Sequence, residues 1–154
     1  MSRAFVKEQD DAPEPRLERS ISTAPNKVTP RGARLIEEEV AQAEAALAAA
    51  DYNAAEGLRR DLHYWIARRA SAQLVEPEPA PSAAGFATRV RIRKEGEESV
   101  VAIVGEDEAD PETGFLAWTS PLARALDEAE PGDIVEMRAG GRTVAVELLG
   151  VEPL

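Results

Sequence analysis

The apolar residues of this chain keep one period up to residue 75 and another from residue 86 onward, and few folds accommodate both. Ile36, Val40, Ala43, Leu47 and Ala50 follow at steps of four, three, four and three, the two-per-heptad seam along which a helix packs on a partner. After a break at Asp51-Tyr52-Asn53 the pattern resumes with Ala55, Leu58, Leu62 and Trp65. It then drifts to Ile66 and Ala70, as a 3.6-residue period would. Beyond EPEPAPSAA, residues 76–84, Phe86, Thr88, Val90 and Ile92 alternate with Arg89, Arg91 and Arg93, the two-residue period of a half-buried strand. A helical pair joined to a small sheet satisfies both periods, so the fold class expected is α+β.

Local signals set the expected boundaries. Thr29-Pro30 supplies an N-cap followed by proline at the first helical position, where a missing N–H costs nothing. Two helices of about 20 residues joined by a turn make an antiparallel coiled-coil hairpin roughly 30 Å long. Residues 1–28, with Pro13, Pro15 and Pro25 among many charges, read as a flexible tail. Residues 29–75 read as the hairpin, 76–84 as a Pro/Ala linker, and 85–154 as the sheet domain. In that domain, strands pair about Glu95-Gly96 and about Gly140-Gly141, and Ser120 caps a single short helix over Pro121–Leu126. The sheet is expected to be mostly antiparallel.

Composition removes several functions. The formal charge is -11, and residues 77–154 carry sixteen acidic against seven basic groups, so contact with nucleic acid or an anionic membrane must be local. There is no cysteine, hence no thiolate metal site or disulfide framework. No stretch reads as a secretory signal or a membrane span, and a cytoplasmic location is expected. The single histidine, His63, lies in a helical pattern and reads as a helix residue, not as a general base. Trp65 and Trp118 read as packing residues, since no basic aromatic cluster surrounds either.

Two features invite a sharper reading. The stretch from Glu106 to Glu112 holds five carboxylates in seven residues, including the tetrapeptide Asp107-Glu108-Ala109-Asp110. No phosphate-cradling glycine loop accompanies it, and a calcium loop counted from Glu106 meets Pro111 where glycine is required. Arg59, Arg60, Arg68 and Arg69 form two basic pairs in the second helix. They read as a solvated face opposing the glutamates of the first helix, or as a nucleic-acid contact.

The segment Ile103 to Gly141, IVGEDEADPETGFLAWTSPLARALDEAEPGDIVEMRAGG, resembles the C-terminal domain of the bacterial GreA/GreB transcript cleavage factors. The shared pattern is Ile-Val-Gly, an acidic loop, Ser-Pro, a short Ala-Leu helix, Gly-Asp and a Gly-Gly hairpin. The resemblance covers residues 84–154 by motif and the preceding hairpin by position. It implies an FKBP-like domain without prolyl isomerase activity. It also implies docking on core RNA polymerase at the rim of the secondary channel, by a monomer, with nascent RNA as a further contact.

By the same resemblance Thr119, Ser120 and Pro121 contact polymerase, with Asp107 and Asp110 beside them in the acidic loop. Thr119 stands where the cleavage-active GreB type carries aspartate. The hairpin tip departs further: Ala48-Ala49-Ala50-Asp51-Tyr52-Asn53 keeps only the end of the family's acidic tip motif, and each helix is several turns short. Asp51 and Glu56 are the carboxylates near that tip. Two readings follow. A short-hairpin regulator, similar also to the regulator-of-nucleoside-diphosphate-kinase branch, would occupy the channel with little or no cleavage stimulation. It would be no enzyme and hold no cofactor in isolation. A true cleavage factor would instead use Asp51 and Glu56 to help hold Mg2+ in the polymerase active site, where a hard cation needs oxygen ligands at about 2.1 Å.

Overall fold

The computed structural model describes residues 18–154. Helix α1 spans Pro30–Ala48, and the Thr29 hydroxyl accepts from Gly32 N at 3.0 Å to cap it. Helix α2 spans Tyr52–Ser71, capped by the Asp51 carboxylate, which accepts from Ala54 N at 2.9 Å. The two helices pack antiparallel, with Arg69 near the end of α2 lying 3.5 Å from Glu37 in the first half of α1. Ile36, Val40 and Ala43 face α2 and are buried, as is Trp65 opposite them. The expected drift of the seam to Ile66 and Ala70 does not occur. Ile66 is 40% exposed, and the buried position after Trp65 is Arg68. A charged residue can close the seam there because a carboxylate from another part of the chain reaches it.

The tail expected to stay flexible through residue 28 is placed against the hairpin over residues 18–28. Its first seventeen residues lie outside those described. Arg19 stacks on Tyr64 at 3.8 Å from the ring centroid. Asn26 and Val28 are buried, and strand β1, Lys27–Val28, pairs in parallel with β2, Gln73–Leu74. Asn26 accounts for this order: it donates to the Arg68 carbonyl at 2.8 Å and accepts from the Arg68 guanidinium at 2.7 Å. That satisfies a helix-end carbonyl and a buried cation together.

The second body is a five-stranded mixed sheet built from β3, Thr88–Lys94; β4, Glu97–Val104; β5, Phe115–Ala117; β6, Ile134–Ala139; and β7, Arg142–Pro153. Their order is β5-β4-β3-β7-β6. The hairpins turn at Glu95-Gly96 and at Gly140-Gly141, whose φ values of 58° and 80° need residues tolerant of the left-handed region. Strand β5 runs parallel to β4, an edge that the two-residue period does not announce in so short a segment. Val90, Ile92, Ile103, Val146 and Leu148 form one face, closed by Ala123 and Leu126 of α3, Pro121–Leu126. Ala84, at the end of the expected linker, belongs to this core and exchanges backbone hydrogen bonds with Glu128 and Ala129.

Candidate functional site

The hairpin and the sheet keep separate apolar clusters, Val28, Ile36, Val40 and Trp65 in one and the sheet core in the other. What joins them is the acidic loop, flanked by Lys27 over the Trp118 ring at 4.6 Å and Arg31 over the Phe115 ring at 4.4 Å. Asp107 Oδ2 accepts from Arg68 Nε at 2.5 Å, its other oxygen accepts from the Tyr64 hydroxyl, and both members of the ion pair are buried. Glu108, 4% exposed, accepts from the Thr29 hydroxyl at 2.6 Å and pairs with Arg31 at 3.0 Å. Adjacent carboxylates thus take hold of both helices, Asp107 of α2 and Glu108 of the start of α1.

Two glycines allow this approach. A Cβ on Gly105 would stand 2.5 Å from the Lys27 carbonyl oxygen, and one on Gly32 would stand 2.8 Å from Glu108 Oε2. Gly105 has φ of -68°, so proximity is the constraint there, not backbone freedom. Burial, and then the neighbouring Asp107 carboxylate, push the Tyr64 phenol up to about 12, because both disfavour a second negative charge. Buried charges are tolerable only when paired and hydrogen-bonded, and this joint meets that condition through four side chains around Arg68 and Glu108.

The expected docking residues divide accordingly. Asp107 turns its carboxylate into the joint, whereas Asp110 is exposed and makes a backbone bridge with Phe115. Ser120 caps α3 through a long contact of 3.4 Å to Ala123 N, and Pro121 occupies the first helical position, exposed. Thr119 and Ser120 are half-buried in the same turn. The Ser-Pro turn is therefore a surface element held by its own cap, and Asp107 is not part of that surface in this conformation.

At the far end, Asp51 is exposed and its carboxylate is engaged as the α2 cap, beside Tyr52 at 94% exposure. Glu56 lies in a hollow with Glu18, Arg19, Arg59, Arg60 and His63. Among the described residues no three histidine, cysteine or acidic side chains gather as a metal site.

The four arginines of α2 also separate. Arg69 pairs with Glu37, as the solvated reading expects. Arg59 and Arg60 share the hollow with Glu18 and Glu56, and Arg68 is buried against Asp107. The signal for Arg68 was its spacing, three residues beyond Trp65 on the seam; its partner lies 39 residues away and leaves no local trace.

Residues 79–153 match the model of the family described as transcription elongation factor, GreA/GreB, C-term. Among curated proteins, the transcription elongation factor GreA of Jannaschia sp. (strain CCS1) is 42% identical over 82 residues, which are 52% of this chain and 53% of that protein. The transcription elongation factor GreB of Neisseria meningitidis serogroup B is 35% identical over 96 residues, 60% and 59% of the two chains. The chain spans about half the length of the curated relatives it matches. Among solved structures, the GreA/GreB factor from Nitrosomonas europaea is 21% identical with a TM-score of 0.41, over 84% of this chain and 98% of that one.

Proposed function

We propose that this chain, whose residues 79–153 match the GreA/GreB C-terminal model, is a transcription elongation factor that docks on RNA polymerase through its sheet domain. The sheet domain, FKBP-like on this reading, sits at the rim of the secondary channel, with the Ser120-Pro121 turn as a contact. The helical pair enters the channel as a short coiled coil. The protein modulates elongation or initiation by occupying that entrance, and stimulates transcript cleavage weakly or not at all. It acts on the polymerase and has no reaction of its own.

The observation that carries the last point is Asp51. Its carboxylate caps α2, and three alanines precede it where the family's tip carries acidic residues. Nineteen helical residues in α1 give about 28 Å of reach. Mg2+ belongs to this account only within the polymerase active site, where Asp51 and Glu56 are the side chains that would approach it. The chain's own donor set is too sparse to hold the ion.

The joint gives the hairpin its direction. A probe that enters a channel must leave its docking base at a fixed angle, and the buried Asp107–Arg68 and Glu108–Thr29 contacts supply that rigidity without a shared apolar core. Gel filtration of the full chain with core RNA polymerase tests the docking reading. Co-elution is expected, with competition by a bona fide GreA; separate elution at micromolar concentrations would overturn it.

A further inference from the structure

We propose that the trough between the foot of α1 and the outer face of the sheet binds single-stranded nucleic acid by its phosphates, through Arg34, Arg89 and Arg91. On β3, Val90 and Ile92 point into the core, so Arg89, Arg91 and Arg93 share the solvent face. Arg93 is neutralised by Glu98 and Glu147, each at 2.8 Å, and Arg31 pairs with Glu108. Among the described residues, the guanidiniums of Arg34, Arg89 and Arg91 make no hydrogen bond or ion pair. Glu152 stands opposite Arg89 on β7 and Leu154 lines the same hollow as Arg34, yet neither closes an ion pair with these arginines, so three unpaired guanidiniums converge in a chain of net charge -11.

Arg89 belongs to two adjoining hollows. One, of about 300 Å³, lies between hairpin and sheet and includes Pro30, Arg34, Pro77 and Phe115. The other, of about 270 Å³, crosses the sheet face by Arg91, Val100 and Gly150, with Glu152 on its rim. The β3–β7 register shifts beside Arg91, which leaves Gly150 opposite it, and the Arg91 guanidinium lies over that glycine, its Nη2 3.8 Å from where a Cβ would stand. Arg89 and Arg91 are two residues apart on one face, about 7 Å along the strand, with Arg34 across the trough. An extended ligand charged at each repeat reaches all three.

The strand's position decides between a nucleic acid and an acidic peptide. Strand β3 is central, paired with β4 and β7 on its two sides, so it offers no free ladder to a peptide backbone. A peptide would have to leave its own amides unpaired there, at a cost in free energy. A phosphodiester backbone has no donors to satisfy, arginine grips phosphate bidentately, and Pro30, Pro77 and Val100 give bases apolar walls beside Phe115, whose ring already carries the Arg31 guanidinium at 4.4 Å.

The site stands independently of the polymerase, so it is tested on the full chain alone. Fluorescence anisotropy with an end-labelled single-stranded RNA of twelve nucleotides should show saturable binding at low salt. The slope of log Kd against log salt should be about 2 for three phosphates, falling by about 0.7 for each arginine removed. Arg89→Ala/Arg91→Ala should weaken binding about tenfold or more, and Glu152→Gln should tighten it, while Arg59→Ala/Arg60→Ala changes it less than about twofold. Circular dichroism would confirm that these surface variants fold. Absence of saturable binding overturns the proposal. So does an equal loss with Arg59→Ala/Arg60→Ala, or displacement of the RNA by polyglutamate as effectively as by polyphosphate.

Discussion

Arg68 places its Nε 2.5 Å from Asp107 Oδ2, with both side chains buried between the end of α2 and the acidic loop of the sheet domain. Removing one partner of such a pair strands the other charge in a low-dielectric site, which costs about 3–5 kcal/mol, whereas replacing both with apolar groups of similar volume is often neutral. Asp107→Ala should therefore lower unfolding stability in urea by about that amount, and Arg68→Met/Asp107→Leu should recover most of it. A loss below about 1 kcal/mol for Asp107→Ala would mean that the pair is effectively solvated.

Gly105→Ala should be destabilising although its backbone angles suit any residue. The added methyl would meet the Lys27 carbonyl oxygen at 2.5 Å, and backbone cannot swing aside as a side chain can. The expected cost is about 1–3 kcal/mol, with β1 released from the loop. Hydrogen exchange of the Gln73 and Val75 amides, which bond to the Asn26 and Val28 carbonyls, would read that release directly.

Tyr64 makes the joint sensitive to alkali. Its folded-state value, pushed up to about 12, lies above the ordinary 10.0, so the neutral phenol is the form that folding favours. Its contribution is fully present below about pH 10 and is lost as the pH rises through about 12. Tyrosinate absorbance in a Tyr52→Phe background should show a single transition near 12. A midpoint near 10 would mean that the phenol does not sit against Asp107.

Much of the frame was legible because its signals are local. Thr29-Pro30 and Ser120-Pro121 cap and open their helices as their residue types require, and the two glycine turns pair their strands. The GreA/GreB relationship was legible in the Ile103–Gly141 motif. The joint was not. Thr29 and Glu108 are 79 positions apart and Arg68 and Asp107 are 39, and a cluster of carboxylates reads as solvated until its counter-charges are placed in space. For the same reason the four arginines of α2 read as one surface although the fold sends them three ways.

Pro121→Ala should weaken docking on the polymerase without unfolding the domain. The residue is exposed at the first position of α3, where proline mainly pre-sets the backbone. Ser120→Ala should add a modest stability loss of about 0.5 kcal/mol, the low end for a lost N-cap, because its bond to Ala123 N is long at 3.4 Å. Pull-down of core polymerase by each variant, with melting followed in parallel, separates the two effects. Unchanged capture by both variants would remove the Ser-Pro turn from the contact surface.

The central claim is a factor that occupies the polymerase channel without delivering a metal ion. It is tested most directly on core RNA polymerase stalled in a backtracked complex, with Mg2+ present and binding confirmed in the same sample. The release of the transcript's 3′ fragment is followed for the unmodified protein and for Asp51→Ala. The account predicts binding with release no faster than the polymerase achieves alone, for both proteins. Accelerated release that disappears with Asp51→Ala would contradict it and make the capping carboxylate at the tip a participant in cleavage.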